Sequence, residues 1–194
     1  MAPQVQSGEE AFSRIFYDLE RLSLPVYHDM AHAIVTFNRG DTAACARYVA
    51  SITSQMQGVI GTYTNNLHDK NIARSIWLSK IQGFFAWGAG HYNAATGEWE
   101  KYDGLSGNQL LLFQALDAFL GIEQYLSQRD QEMSVPRRQR ELCHALRKHS
   151  FRERLARMGE DVNVDGILRD FATILKQLRV NFSFTVPSLL GYGQ

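Results

Sequence analysis

The stretch DTAACARYVASITSQMQGVIGTYTNNL, residues 41–67, indicates the fold class most clearly. Its side chains Tyr48, Ile52 and Met56 recur every four residues, which places them on one face of an α-helix. Asp41 stands ahead of this apolar face and predicts an N-cap, because an aspartate side chain accepts hydrogen bonds from the first helical amides. We therefore expect a long helix that is buried along one side.

The same helical periodicity extends over most of the chain. Proline occurs only at positions 3, 25, 136 and 187, and this sparsity favours long helices. Helices are predicted over residues 9–22, 25–39, 41–67, 71–87, 106–126, 136–149, 151–158 and 165–185. Ser23 is expected to cap the second of them, and Pro187 to stop the last. No strand-like alternation stands out, so we predict a single all-α domain over residues 1–194, with residues 1–8 disordered or loosely packed.

Composition and charge exclude several classes of protein. The 20 basic and 20 acidic residues cancel, so the chain lacks the basic surface of a nucleic-acid-binding protein. Cys45 and Cys143 are too few for a disulfide framework, which favours a reducing, cytoplasmic location. No apolar run approaches the roughly 20 residues needed to span a bilayer, and residues 1–10 lack the apolar stretch of a signal peptide.

Residues 88–107 form the longest segment without helical periodicity, and they carry a cluster of polar and aromatic side chains. The cluster consists of His91, Tyr92, Tyr102, Asp103 and Ser106. A loop of this length is uncommon in a compact domain unless it has a function. Aromatic walls with a few polar groups are typical of a small-molecule pocket. They are equally typical of a packed loop, and both interpretations stay open.

Three short motifs follow one another in the second half of the chain. Residues 104–109 read GLSGNQ, residues 113–124 run from Phe113 through Asp117 to LGIEQ, and residues 178–179 read Leu-Arg. In this order they resemble three segments of the indoleamine 2,3-dioxygenase family: a glycine- and serine-rich segment over the haem, a helix Phe-x-x-x-Asp-x-x-Leu-Gly-Ile-Gln, and the start of the haem-anchoring Leu-Arg-x-x-His. The resemblance covers nearly the whole chain and implies the all-α topology of the family's large, haem-binding domain.

The chain departs from that family at the iron ligand. Phe182 stands where the family has its proximal histidine, and phenylalanine has no lone pair to bind iron. The family's Pro-x-His-Arg-x-Phe-Leu segment is degraded at residues 136–142, and the helix with the substrate-binding arginine here offers Trp77, Lys80 and Ile81. We also expect the family's small N-terminal domain to be absent. We therefore predict no cofactor, with haem as the alternative.

The resemblance also suggests a role for Arg179, because the family's arginine at this position binds a haem propionate. Without haem, Arg179 is expected either to form a structural ion pair with Asp117, Asp103 or Glu123, or to anchor a substrate oxygen. The sequence leaves both possibilities open.

His28 and His32 lie one helical turn apart. This spacing puts both imidazoles on one helix face, as in helical metal-binding pairs. The glutamate of the metalloprotease signature is missing and no third ligand is recognisable, although His68, Asp69 or His91 could converge on the pair. We predict no metal site. The pair is interpreted either as ordinary surface or interface histidines, or as a group with a metal-binding or acid–base role.

These observations define two sets of candidate residues. The candidate catalytic residues are Arg179, Tyr92, His91, Ser106, His28 and His32. The candidate substrate-binding residues are Trp77, Lys80, Phe84, Trp87, Phe113, Phe182 and Asp103. Periodicity alone does not separate the aromatic members of the second set from ordinary core residues.

Our leading hypothesis is a cofactor-free enzyme of secondary metabolism. It would be a cyclase or isomerase that acts on a hydrophobic substrate in the former haem pocket, for example by promoting a pericyclic ring closure. One alternative is a haem-dependent oxygenase with a substitute ligand such as His28 or His32. Another is a non-catalytic small-molecule-binding or partner protein. We expect a homodimer, because the surface that the missing small domain would cover needs a partner.

Overall fold

Helices dominate the computed structural model, which describes residues 3–66, 72–76, 79–80, 90–101, 110–124 and 127–190. The helices are α1 (Pro3–Asn38), α2 (Thr42–Asn66), the single turn α3 (Arg74–Ile76), α4 (Leu111–Phe119), α5 (Gln128–Ser134), α6 (Arg137–Lys148), α7 (Arg152–Leu155) and α8 (Val162–Leu190). The strands β1 (Gly90–Asn93) and β2 (Glu98–Lys101) form an antiparallel hairpin. The predicted all-α fold class is confirmed. None of the described helices combines the length and apolar character needed to cross a membrane.

The helices α1 and α2 form an antiparallel pair joined by residues 39–41. Gly40 has a φ of +78°, a left-handed conformation that glycine adopts without steric cost, and it ends α1. The Asp41 carboxylate accepts a hydrogen bond from the Ala44 amide at 2.8 Å, so the predicted N-cap of α2 is confirmed. The two helices contact one another along much of their length, and this pair frames the site described below.

Pro25 does not divide α1, although the sequence predicted two helices meeting there. The proline cannot donate to the carbonyl of Arg21, but both residues are exposed, so water can satisfy that carbonyl. Ser23 is buried inside the continuous helix and donates its hydroxyl to the Leu19 carbonyl at 2.7 Å. The prediction that Ser23 caps a second helix is therefore wrong.

The core lies between α2 and its neighbours α1 and α8, with α4 packed on α6 and on α1. An aromatic group joins α1, α4 and α8 to Phe151, the residue before α7. The ring of Phe151 lies 4.4 Å from that of Phe37 on α1 and 5.7 Å from that of Phe119 on α4. Phe171 on α8 completes the group, 5.6 Å from Phe119. Burial of these large rings ties the end of α1 to the second half of the chain.

Other boundaries differ from the sequence prediction for local reasons. The hairpin occupies part of the stretch predicted as a loop, and its turn ends at Gly97, which has a φ of +72°. Helix α4 ends at Phe119, because the chain turns at Gly121 with a φ of +65°. Helix α8 continues through Pro187, where the sequence predicted a stop. Proline lacks an amide hydrogen, so its place in the helix costs one backbone hydrogen bond. Helix α5 was not predicted.

Candidate functional site

Most of the residues predicted to line a pocket lie outside the described part of the chain. They are Trp77, Phe84, Trp87, Asp103 and Ser106. The backbone of Arg179 and Phe182 belongs to α8, but their side chains also lie outside the described part. The pocket inferred from the resemblance therefore stays a prediction, and the candidate site is built from the remaining residues.

The hairpin carries His91 and Tyr92 as successive residues of β1. Their side chains point to opposite faces, as successive strand residues do. His91 Nε2 lies 3.5 Å from Glu100 Oε2 of β2, in an exposed pair. Tyr92 is 61% exposed and lies opposite Trp99, which is 57% exposed. A site on one face of the hairpin would thus include the side chain of either His91 or Tyr92, but not both.

Phe113 and Lys80 are the described members of the predicted substrate-binding set. Phe113 is half-buried on α4 and packs against the core. The side chain of Lys80 is exposed. Phe113 therefore contributes to the packing of α4.

The structure brings His28 and His32 together at the seam between α1 and α2. Their ring centres lie 4.2 Å apart. The ring of His32 stacks on Tyr48 of α2, with centres 5.1 Å apart and planes inclined by 25°. We call the polar group at this seam the histidine cluster; its members are His28, Asp29, His32, Tyr48, Ser51 and Gln55.

Asp29 is the buried centre of the histidine cluster, with only 8% of its surface exposed. Gln55 Nε2 donates to Asp29 Oδ2 at 2.6 Å, and His28 Nδ1 lies 3.1 Å from Asp29 Oδ1. Burial raises the pKa of the Asp29 carboxyl, but hydrogen bonds from Ser51, His28 and Gln55 outweigh it, so the pKa is lowered from its ordinary value. Asp29 is therefore ionised at neutral pH.

The ionised carboxylate determines which nitrogen of neutral His28 carries the proton. A carboxylate only accepts hydrogen bonds, so His28 Nδ1 must be the donor and Nε2 keeps its lone pair. The side chain of His28 is 64% exposed, which leaves this lone pair accessible to solvent and to other molecules. An imidazole oriented in this way can act as a general base or as a metal ligand.

Gln55 connects the histidine cluster to α2. Its Nε2 donates to Ser51 Oγ at 2.8 Å as well as to Asp29. Its Oε1 is buried and has no hydrogen-bond partner among the residues that the structure describes. Gln55 is therefore oriented by its two donated hydrogen bonds, and the one to Asp29 helps to hold that carboxylate in place.

A second polar group, which we call the glutamate junction, consists of Glu20, Tyr27 and Leu112. Tyr27 donates its hydroxyl to Glu20 Oε2 at 2.6 Å, and the Leu112 amide donates to Glu20 Oε1 at 3.3 Å. Burial and the adjacent Glu20 raise the pKa of Tyr27 far above its ordinary value. The phenol thus remains a hydrogen-bond donor at any physiological pH, and the junction ties α1 to the start of α4.

Cys143 of α6 is close to the glutamate junction but is not a reactive thiol. Burial raises its pKa to about 11, against the opposing charge of Arg147. Because the thiolate is the nucleophilic form, this cysteine is inert near neutral pH. The glutamate junction and its surroundings therefore have a structural role.

The donor atoms of α8 do not fit haem iron. Residues 162–190 contain no histidine, cysteine, methionine or tyrosine, the side chains that commonly supply an axial ligand. Within the described ranges, no three or more histidine, cysteine, aspartate or glutamate side chains are grouped so as to hold a metal ion. An axial ligand would have to come from a part of the chain other than this helix.

No protein-family model matches the chain, and neither does any curated protein. The resemblance to the dioxygenase large domain thus rests on the three motifs quoted above together with a helical fold that is compatible with it. The histidine cluster is the polar group of the described residues with an accessible imidazole next to a buried carboxylate.

Sequence reasoning identified half of the histidine cluster. The spacing of His28 and His32 predicted their proximity, and Tyr48 was predicted to face inward. Asp29, Ser51 and Gln55 were missed. Ser51 and Gln55 are one helical turn apart and border the buried face of α2, which is the signal that could have indicated a polar seam.

Proposed function

We propose that this chain is a cofactor-free enzyme of small-molecule biosynthesis, an isomerase or cyclase that acts on a hydrophobic carbonyl compound with His28 as general base. The observation that carries the proposal is the hydrogen bond from His28 Nδ1 to the buried carboxylate of Asp29. This bond holds the imidazole in one tautomer and leaves Nε2 free. A base oriented by a third group is the arrangement that proton-transfer enzymes use.

The reaction proceeds by movement of one proton without change of oxidation state. His28 Nε2 removes a proton from the carbon next to the carbonyl, and the C–H electron pair forms the enolate. The imidazolium, stabilised by Asp29, returns the proton to a different carbon and shifts the double bond. In a cyclase, the enolate carbon instead attacks an electrophilic carbon of the same substrate, and the proton returns to the atom that receives the displaced electron pair.

The wider pocket in this proposal comes from the resemblance to the indoleamine 2,3-dioxygenase large domain. The predicted aromatic residues Trp77, Phe84, Trp87 and Phe182 would hold the substrate, and Arg179 would bind its carbonyl oxygen. Holding a flexible substrate in a reactive conformation contributes up to several kcal/mol to the lowering of the barrier. A cytoplasmic homodimer completes the proposal.

Deuterium exchange tests the proposal without knowledge of the natural substrate. The purified chain is incubated in D₂O with a panel of hydrophobic β,γ-unsaturated and saturated ketones, and deuterium uptake is followed by mass spectrometry. We expect faster uptake with at least one compound class than in buffer. The His28→Gln variant keeps the bulk of the side chain but lacks the base, so we expect its rate to fall by about 10²–10⁴-fold.

The matched control is His144→Gln, which removes an exposed imidazole from α6 instead. This variant should exchange at the wild-type rate. An undiminished rate in His28→Gln, or no exchange with any ketone, would exclude His28 as the base of such a reaction.

A further inference from the structure

We infer that His28 and His32 together bind one divalent transition-metal ion, with Zn²⁺ and Ni²⁺ as suitable probes. The inference does not depend on the proposed enzymatic function. The ion would bind the same Nε2 lone pair that acts as the base, so a bound ion would block proton transfer by His28. It rests on the spacing of the two imidazoles, on their exposure and on the buried carboxylate that orients one of them.

The two rings lie close to the spacing that a shared ion requires. Zinc–nitrogen bonds are about 2.0–2.1 Å long in tetrahedral sites, so two bound nitrogens lie on the order of 3.3 Å apart. The rings of His28 and His32 have centres 4.2 Å apart and planes inclined by 43°. The centres of two imidazoles bound to one tetrahedral zinc lie about 5 Å apart, so the two rings must separate by roughly 1 Å to share an ion, a movement that exposed side chains permit. Both residues are exposed, so an ion reaches them from solvent.

Asp29 supplies the support that metal-binding histidines usually have. A bound imidazole commonly donates its other N–H group to a carboxylate, which fixes the ring and makes the bound nitrogen more basic. The contact between His28 Nδ1 and Asp29 Oδ1 provides this hydrogen bond at 3.1 Å. Asp29 is itself held by Gln55, so the oriented ring is available before the ion arrives.

The second imidazole is restrained by its contact with α2. His32 stacks on Tyr48, which limits the directions that the ring can take. Two imidazoles favour zinc, nickel and copper, whereas magnesium prefers oxygen ligands. Because the described residues offer no third protein ligand, water completes the coordination, and the ion remains exchangeable.

Calorimetric titration of the full, tag-free chain tests the inference. We expect one Ni²⁺ or Zn²⁺ per chain, tighter binding of Cu²⁺ in keeping with the usual order of affinities, and no heat from Mg²⁺. The variants His28→Ala and His32→Ala should each weaken Ni²⁺ binding at least ten-fold. Asp29→Asn should weaken it about 10–100-fold through His28. His144→Ala and His149→Ala are the matched controls, since each removes an exposed imidazole elsewhere, and both should bind as the wild type does.

Three results would overturn the inference: no binding of Ni²⁺ or Zn²⁺ by the wild type, unchanged binding by the His28→Ala/His32→Ala double variant, or equal losses in the two controls. Circular dichroism of each variant establishes that the helices are intact. The deuterium-exchange assay is run on chain treated with a chelator. Loss of exchange in that assay concerns the base alone, whereas the titration concerns the ion alone, so the two proposals fail separately.

Discussion

Two carboxylates on α1, Glu20 and Asp29, anchor this helix to different neighbours and with different consequences. Glu20 binds Tyr27 and the first turn of α4. Asp29 binds Gln55 of α2 and the exposed ring of His28. Each carboxylate therefore joins a side chain of its own helix to a second helix, and the two arrangements differ mainly in the side chain that α1 supplies.

The side chain that α1 supplies next to each carboxylate determines whether the pair can take part in proton transfer or metal binding. The phenol of Tyr27 is locked as a donor, because burial and Glu20 raise its pKa far beyond the physiological range. The imidazole of His28 is mostly exposed and presents its free nitrogen to solvent. The carboxylate of Glu20 thus forms a structural contact with Tyr27, whereas the carboxylate of Asp29 orients His28, an accessible base or metal ligand.

The largest effect on stability is expected at the glutamate junction. Glu20→Ala leaves the Tyr27 hydroxyl and the Leu112 amide without their acceptor. We expect a loss of about 2–3 kcal/mol in the free energy of unfolding, because neither donor is fully exposed. Urea unfolding followed by circular dichroism measures the loss.

The double variant Glu20→Ala/Tyr27→Phe separates the interaction from the cost of each truncation. Its loss should be smaller than the sum of the single losses by about 0.5–3 kcal/mol, since removal of both partners leaves no unmatched hydroxyl. Tyr17→Phe is the control: Tyr17 lies on the same helix, is 68% exposed, and should show no change. Strict additivity of Glu20→Ala and Tyr27→Phe would mean that the short hydrogen bond contributes nothing.

A smaller loss of stability is expected on substitution of Asp29, because its partners have other hydrogen-bond partners available. In Asp29→Asn, His28 can bind water and Gln55 still donates to Ser51. We expect a loss of about 1–2 kcal/mol near neutral pH. Since the pKa of Asp29 is lowered in the folded state, this contribution is present above the ordinary carboxyl pKa and disappears as the pH falls through the folded-state pKa.

Thermal unfolding of the wild type and Asp29→Asn, followed from neutral to acidic pH, measures the difference in stability between them. We expect this difference to become smaller as the pH falls. The control is Asp18→Asn on the same helix. The Asp18 carboxylate is 30% exposed and lies 3.8 Å from the exposed Arg21, at the long end of the range for an ion pair. This substitution should therefore change the stability little at any pH. A gap that widens toward acid would contradict the stabilising role assigned to the Asp29 carboxylate.

The smallest effect, of opposite sign, is expected at a third carboxylate, Asp117 of α4. Burial raises its pKa, and the positive charge of Arg147 offsets this only in part. A raised pKa means that stability is fully present below the ordinary carboxyl pKa and is lost as the pH rises through the folded-state pKa. Asp117→Asn should therefore stabilise the chain near neutral pH, within about 1 kcal/mol.

The stabilisation by Asp117→Asn should vanish in acid, where the wild-type carboxyl is already neutral. Thermal unfolding of the wild type and Asp117→Asn at acidic and at neutral pH measures this difference. Destabilisation at neutral pH would instead show that the charge on Asp117 contributes a favourable interaction with Arg147, and that this carboxylate belongs with Glu20 and Asp29.

Features that depend on a few neighbouring residues could be predicted from the sequence. The cap by Asp41 and the meeting of His28 with His32 both involve residues three or four positions apart, within one turn of a helix. The break predicted at Pro25 was wrong, because the cost of a proline depends on whether the freed carbonyl is exposed, and this depends on the packing of the whole helix. The hairpin strands are four residues long, too short for alternation to stand out.

Contacts between helices could not be predicted in the same way. Gln55 lies 26 positions from Asp29, and Leu112 lies 92 positions from Glu20. Periodicity identifies the buried face of each helix but does not state which helix that face meets. The pairing of α1 with α2 was within reach because the connection is short, whereas the contact of α1 with α4 had no comparable signal.

The brief connection between α1 and α2 also bears on the order in which the molecule assembles during synthesis. A growing chain emerges N-terminus first, and contacts between residues close in sequence form sooner than remote ones. The bond from Gln55 to Asp29 needs only the chain up to Gln55, whereas the bond from Thr42 to Asp161 spans 119 positions and forms only after Asp161 has been made. The histidine cluster can therefore assemble while α4 and α8 are still to be translated, and the later helices add to a seam that already exists.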